Sequence, residues 1–218
     1  MSSAVIQLLV LAAIAVFLIL RLRSVLGTRE GFEKPPLPMP GESPARGRRE
    51  FEVIEGGVDS DITDHVKDGS KAAKALAAMK IAEPGFGVGE FLHGARQAYE
   101  MILMAFEKGD LDSVIPFLSR DVYESFHAVV EMREREGLTV QANFVGVREM
   151  ALVDANFSRE TGEGEITLRF VGELISVVRD RNGTVVEGDA NEIKRQRDVW
   201  TFARRMGVDD PNWQLVAT

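Results

Sequence analysis

The chain opens on an almost unbroken apolar run: from Ala4 to Leu20, AVIQLLVLAAIAVFLIL, Gln7 is the one polar residue. As a helix rising 1.5 Å per residue this run spans about 25 Å, close to the thickness of a bilayer core. Arg21 and Arg23 follow it, and long basic side chains snorkel to an interface, so that Val25 and Leu26 extend the apolar length. The pattern predicts a transmembrane anchor and its flank over residues 1–26. Its apolar surface is Val5, Ile6, Leu8, Leu9, Val10, Leu11, Ile14, Val16, Phe17, Leu18, Ile19 and Leu20, with Arg21 and Arg23 at its edge. A cleaved signal peptide would carry a basic region before a shorter run and small residues after it; here no side-chain charge precedes the run and Arg21-Leu22-Arg23 follows directly. Arg21, Arg23 and Arg29 all lie on the C-terminal side, which by the positive-inside rule puts the amino terminus outside and the remaining chain in the cytoplasm. The expectation is a single-pass protein of a bacterial inner membrane.

The pattern then stops. Five of the eight prolines (Pro35, Pro36, Pro38, Pro40 and Pro44) fall together with Gly41 and Gly47 in a stretch that has nothing to bury, which predicts an extended spacer within a linker over residues 27–69. The run DSDITDHVKDG, Asp59 to Gly69, fails as a calcium loop. Counting from Asp59, Asp64 stands where the loop needs glycine and Ser70 where it needs a bidentate Glu, so the run reads as a solvated acidic turn before a helix. Gly85, Gly87 and Gly89 lack dinucleotide-loop spacing and read as a hinge.

From Ser70 the apolar positions recur at helical spacing. Lys71, Lys74 and Lys80 alternate with Ala72, Ala75, Leu76, Met79 and Ile81 in a short amphipathic helix that ends before Pro84. Two readings stand for it: Lys71, Lys74, Leu76, Met79 and Lys80 lying on a membrane surface, or an alanine-rich face docking on another helix. Phe91, Ala95, Ala98, Tyr99, Ile102, Ala105 and Phe106 mark a longer helix closed by Lys108-Gly109. A short helix bent at Pro116 follows, and then one through Val122, Phe126, Val129 and Val130 to Gly137. Beyond Gly137 the period shifts towards two. Thr139–Val147, Glu149–Phe157, Glu165–Val178, Arg197–Arg205 and Trp213–Val216 read as strands, the second and third as a hairpin, with a long charged connection over 179–194. Helices followed by strands predict an α+β domain over 70–218, its helices packed on a curved, mostly antiparallel sheet.

Composition narrows the function. The 218 residues contain no cysteine, which removes disulfides, thiol catalysis and cysteine–zinc sites. Of the 26 basic and 34 acidic side chains, residues 1–83 hold 11 of each, leaving 15 basic and 23 acidic in 84–218. A domain carrying the whole net charge of −8 repels phosphate backbones, so nucleic acid is not an expected partner. His65 and His93 have no acidic or histidine partner at ligand spacing, and neither a metal nor a cofactor is expected. Tyr123 and His127 share a helix face, Asp121 does not, and this trio is the nearest approach to a catalytic set; a solvent-edge Tyr–His pair explains it as well. Trp200, Phe202 and Trp213, on neighbouring strands, are the candidate pocket residues, with plain core as the other reading.

The patterns FLHGARQAYEMILMAFEKGDLDSVIPFLS (Phe91 to Ser119), EGDANEI (Glu187 to Ile193), DVWTFARR (Asp198 to Arg205) and PNWQLVAT (Pro211 to Thr218) carry a resemblance. Over residues 72–218 the chain resembles the C-terminal domain of the translocase tether family, and a single span with a proline-rich spacer looks like its alphaproteobacterial branch. The resemblance implies a cone-like domain of the nuclear transport factor two type, with a concave sheet and an apolar pocket, preceded by helices that contact the membrane. It also implies an adaptor rather than an enzyme, whose partners are membrane lipid and client or partner proteins, a chaperone among the candidates. The expected function is therefore a membrane-anchored adaptor that holds proteins at the inner membrane during translocation, insertion or complex assembly. The alternatives are a module binding lipid or a small hydrophobic ligand, and a cone-fold isomerase or dehydratase.

Overall fold

The computed structural model describes residues 59–218. The anchor read over residues 1–26 and the proline-rich spacer lie outside the described residues. Within them, no helix is long and apolar enough to cross a membrane.

Each helix is bounded by residues suited to its end. α1 (Ser60–Thr63) starts at Asp59, and α2 (Lys71–Ala82) at Ser70, whose hydroxyl accepts the Ala73 amide. α3 (Val88–Lys108) ends at Gly109 with φ 76°, and α4 (Arg120–Glu136) runs from Ser119 to Gly137 with φ 71°, left-handed positions that glycine adopts without Cβ strain. A 3₁₀ turn (Asp112–Phe117) containing Pro116 joins these two.

All the paired strands are antiparallel, in the order β1 (Thr139–Phe157), β2 (Glu163–Arg179), β4 (Lys194–Arg205), β5 (Gln214–Ala217), with β3 (Val185–Gly188) on the far end of β2. Even-numbered residues of β2 face the helices: Ile166, Leu168 and Phe170 are fully buried and Leu174 nearly so. Ile166, Leu168 and Phe170 meet Tyr99 and Ile102 of α3 and Leu76 and Met79 of α2 in one core. Tyr99 stacks on Phe170 at 4.4 Å, and its hydroxyl donates to Asp198 of β4 at 2.6 Å. Burial first, and then the Asp198 carboxylate, push the Tyr99 phenol far up, so it stays a donor.

The sheet departs from the sequence expectation in two places. Thr139–Val147 and Glu149–Phe157 are one continuous strand, because the register with β2 shifts at Phe144/Gly146, Val147/Glu149 and Leu152/Asp154. Each bulge adds a residue, which breaks the period-two pattern while the pairing continues and bends the strand. The charged connection 179–194 contains β3, which pairs with β2 beyond the turn at Asn182-Gly183. All of its residues are exposed, so no alternation marks it.

The membrane-surface reading of α2 is corrected. Leu76 and Met79 have no exposed surface and are core residues, so these two are not available to lipid, whereas Ile81 near the end of the helix stays exposed. Lys71 and Lys74 stay exposed, whereas Lys80 pairs with Asp59 at 2.7 Å and Asp61 at 2.8 Å.

The acidic run upstream of Ser70 is also more than a solvated turn. Ile62 is buried in the core, and Asp61 accepts the Val88 and Gly89 amides at 2.8 Å each, capping α3 from a distance. Gly87 and Gly89 provide the seat for this carboxylate, since a Cβ on Gly89 would stand 3.3 Å from Oδ1. Burial pushes the Asp61 carboxyl up, but the Lys80 ammonium and the two amides outweigh it and hold its pKa at about 2. Asp61→Ala is expected to destabilise the domain by about 1–2 kcal/mol, the cost of losing a cap and leaving two amides unmet, read as a lowered melting temperature. Asp64→Ala, at an exposed neighbour, should leave it unchanged.

Candidate binding cavity

A cavity of about 340 Å³ lies between the α2–α3 connection, the N-terminal half of α3, β4 and the β4–β5 loop. Its walls are aromatic. Phe86 and Phe91 meet Trp213 with ring centroids 5.9 and 4.6 Å away, and Phe91 meets the edge of Phe202 at 6.1 Å. Phe117 and the small residues Gly94, Ala95 and Ala98 complete the lining, so one face of α3 leaves the space open.

The polar edge is built around Arg204. Its Nη2 donates to Glu83 Oε1 at 2.6 Å, and Glu83 Oε2 accepts the Gly207 amide at 2.9 Å. The Arg204 side chain is 7% exposed, and its guanidinium lies 5.3 Å from the centroid of Trp213. Arg204 Nε is buried without a hydrogen-bond partner. Burial pushes the Glu83 carboxyl up, but the Gly207 amide and the guanidinium outweigh it and hold it below its usual range.

Of the three aromatic residues singled out from sequence, Phe202 and Trp213 line this cavity and Trp200 does not. Trp200 is 4% exposed and packs between Tyr99, at 4.7 Å, and Phe170, at 5.9 Å, as a core residue. Sequence reasoning missed Phe86, Glu83 and Arg204. A signal for Arg204 was present: in DVWTFARR it shares the period-two face of Trp200 and Phe202, which places a guanidinium on the buried side of a strand.

The trio on α4 lies elsewhere. Asp121 and His127 are exposed and Tyr123 is half-buried; the Tyr123 and His127 rings are 5.6 Å apart, and His127 lies 3.8 Å from Glu131. None of the three lines the aromatic cavity. Among the described residues no cluster of three or more His, Asp or Glu side chains is arranged to hold a metal ion.

Residues 72–218 match the family described as the Tim44-like domain. The mitochondrial import inner membrane translocase subunit TIM44-1 of Arabidopsis thaliana is 21% identical over 71% of this chain and 34% of its own length. The human TIM44 subunit is 23% identical over 71% of this chain and 36% of its own length. The chain thus spans about a third of the length of the curated relatives it matches. Among solved structures, the intermembrane space region of chloroplast protein ARC6 overlaps weakly, with a TM-score of 0.36 at 9% identity over 58% of this chain and 92% of that one.

Proposed function

We propose a function from one premise: the chain belongs to the Tim44-like domain family. It acts as an adaptor in protein translocation, insertion or complex assembly, holding client or partner proteins at an inner membrane. The relatives named as subunits of an import translocase support the process. The observation that carries the adaptor reading is the composite cavity, an aromatic recess with a fixed ion pair at its edge. A lipid or small hydrophobic molecule in the same recess is the alternative that this apolar lining favours.

Two further parts of the proposal rest on sequence. The run Ala4–Leu20 anchors the chain in a bacterial inner membrane with the folded domain in the cytoplasm, and the proline-rich stretch is its spacer. Membrane lipid is then a partner through the anchor, and a chaperone is among the protein partners to be sought. Tethering raises the effective concentration of a weak contact to about the millimolar range, so a shallow recess suffices for recognition.

The test is complementation together with crosslinking in intact cells. Deletion of residues 5–20 should abolish complementation while the domain still accumulates in folded form, and an unrelated transmembrane span in its place should restore it. Crosslinks from the domain should fall on membrane or secreted proteins. Full complementation by the unanchored domain would overturn the tether, and turnover of a small molecule by the full chain would overturn the adaptor.

A further inference from the structure

Building on the adaptor reading, we propose that the aromatic cavity is a cage for a cationic side chain on an apolar stem, presented by a partner protein as an exposed lysine or arginine among leucine-like residues. Its lining carries three charged groups, Glu83, Glu90 and Arg204. Glu83 and Arg204 neutralise each other at 2.6 Å, whereas Glu90, exposed in the first turn of α3, has no ion-pair partner among the described residues. One uncompensated negative charge therefore stands over an aromatic recess.

The ring faces of Phe, Tyr and Trp attract a cation, most strongly where water is thinned out. The cavity shows this preference within itself, because Arg204 lies over Trp213. Phe86 and Phe91, with Phe117 also in the lining, supply further ring surface around the remaining space. At about 340 Å³ the space is at the lower end of small-ligand pockets, which run from about 300 to 1,000 Å³, and so takes a side chain or two rather than a helix. Charge decides against the opposite sign: an anionic group entering here would meet the Glu83 and Glu90 carboxylates, while the guanidinium in the lining is already paired and its side chain only 7% exposed. The acidic excess of the domain, 23 acidic against 15 basic side chains over residues 84–218, favours the approach of a basic partner to the domain as a whole.

The experiment titrates the full chain with three short amidated peptides, acetyl-Leu-Leu-X-Leu-Leu, in which X is lysine, norleucine or glutamate, by calorimetry at low and at physiological salt. The lysine peptide is expected to bind about fivefold to tenfold more tightly than the norleucine peptide, the size of a partly solvated cation–π contact with an added carboxylate, and the glutamate peptide more weakly than both. Glu90→Gln, at an exposed position where folding is not at stake, should lower the lysine preference to about twofold to fourfold, the part the rings supply, while leaving norleucine binding unchanged. Trp213→Phe keeps an aromatic wall and should retain the preference; Trp213→Leu should lose it, with the melting temperature of each variant as the control for folding. Equal binding of the lysine and norleucine peptides would overturn the cage and describe an apolar slot of the kind an acyl chain occupies. Tightest binding by the glutamate peptide, absence of binding by all three, or a preference undiminished by Glu90→Gln would overturn it as well. Loss of complementation on anchor deletion is independent of these titrations, so the adaptor reading and the cage fail separately.

Discussion

Replacing Trp200 with alanine is expected to cost the domain about 3–5 kcal/mol, the range for removing a large aromatic side chain from a packed core. The magnitude follows from its place: 4% exposed, with Tyr99, Phe170 and Phe202 around it at 4.7, 5.9 and 6.2 Å. Because native domains are stable by only about 5–15 kcal/mol, the variant should be partly unfolded at growth temperature. Trp213→Ala provides the contrast. Trp213 is half-buried at the wall of an existing cavity, so its loss should cost about 1–2 kcal/mol, since part of its surface is already in water. Urea unfolding of the two variants side by side checks the assignment. A larger loss for Trp213 than for Trp200 would show that core and cavity wall have been exchanged.

The second large effect is expected at the ion pair on the cavity edge. Glu83→Gln removes the counter-charge of a guanidinium that is 7% exposed, and Arg204 cannot shed its proton to escape. Breaking a buried pair from one side costs about 3–5 kcal/mol; Glu83 is itself about a quarter exposed, at 24%, which lets water screen the orphaned charge and brings the expectation to about 2–3 kcal/mol. Arg204→Met should cost less, because its stem is replaced by one of similar volume and the carboxylate left behind can reach water and keeps the Gly207 amide. This asymmetry separates a desolvated guanidinium from an ordinary surface pair, for which both changes would be near zero. The pH dependence follows from the lowered Glu83 pKa. A carboxyl whose folded pKa lies below its unfolded value adds stability that is complete above the ordinary carboxylate range near 4.5 and is lost as pH falls through the folded value. The wild-type advantage over Glu83→Gln should therefore be constant near neutrality and shrink on acidification below about pH 4.5. An advantage that grows as pH falls would contradict the pairing.

Both effects sit on residues that strand periodicity places on one face of β4, yet the sequence does not distinguish their roles. Trp200 and Phe202 alternate with the exposed Val199 and the half-exposed Thr201, which was legible as a strand with a buried side; Arg204 continues that period of two, although Ala203 before it is buried as well. Which of the three meets packed core and which meets open space depends on the helices above them. Tyr99 and Phe170 fill the volume over Trp200, whereas Gly94, Ala95 and Ala98 leave room over Phe202 and Arg204.

Pattern and local chemistry determined a good deal. Ser70, Ser119, Gly109 and Gly137 set helix ends through caps that act within one turn, and these boundaries could be read from residue type and spacing. The order of helices before strands, and the pairing of β1 with β2, followed from period and turn residues in the same way. What tertiary structure alone decided rests on contacts between residues far apart in the chain. Asp61 caps a helix that begins 27 residues later, and Glu83 finds its guanidinium 121 residues on. The basic helix Lys71–Ala82 had an apolar face that fitted lipid and protein equally well, and the choice fell to burial of Leu76 and Met79 against the sheet. A carboxylate or an apolar stripe specifies the chemistry of its partner but carries no address for it. That address is supplied by the packing that brings the two together.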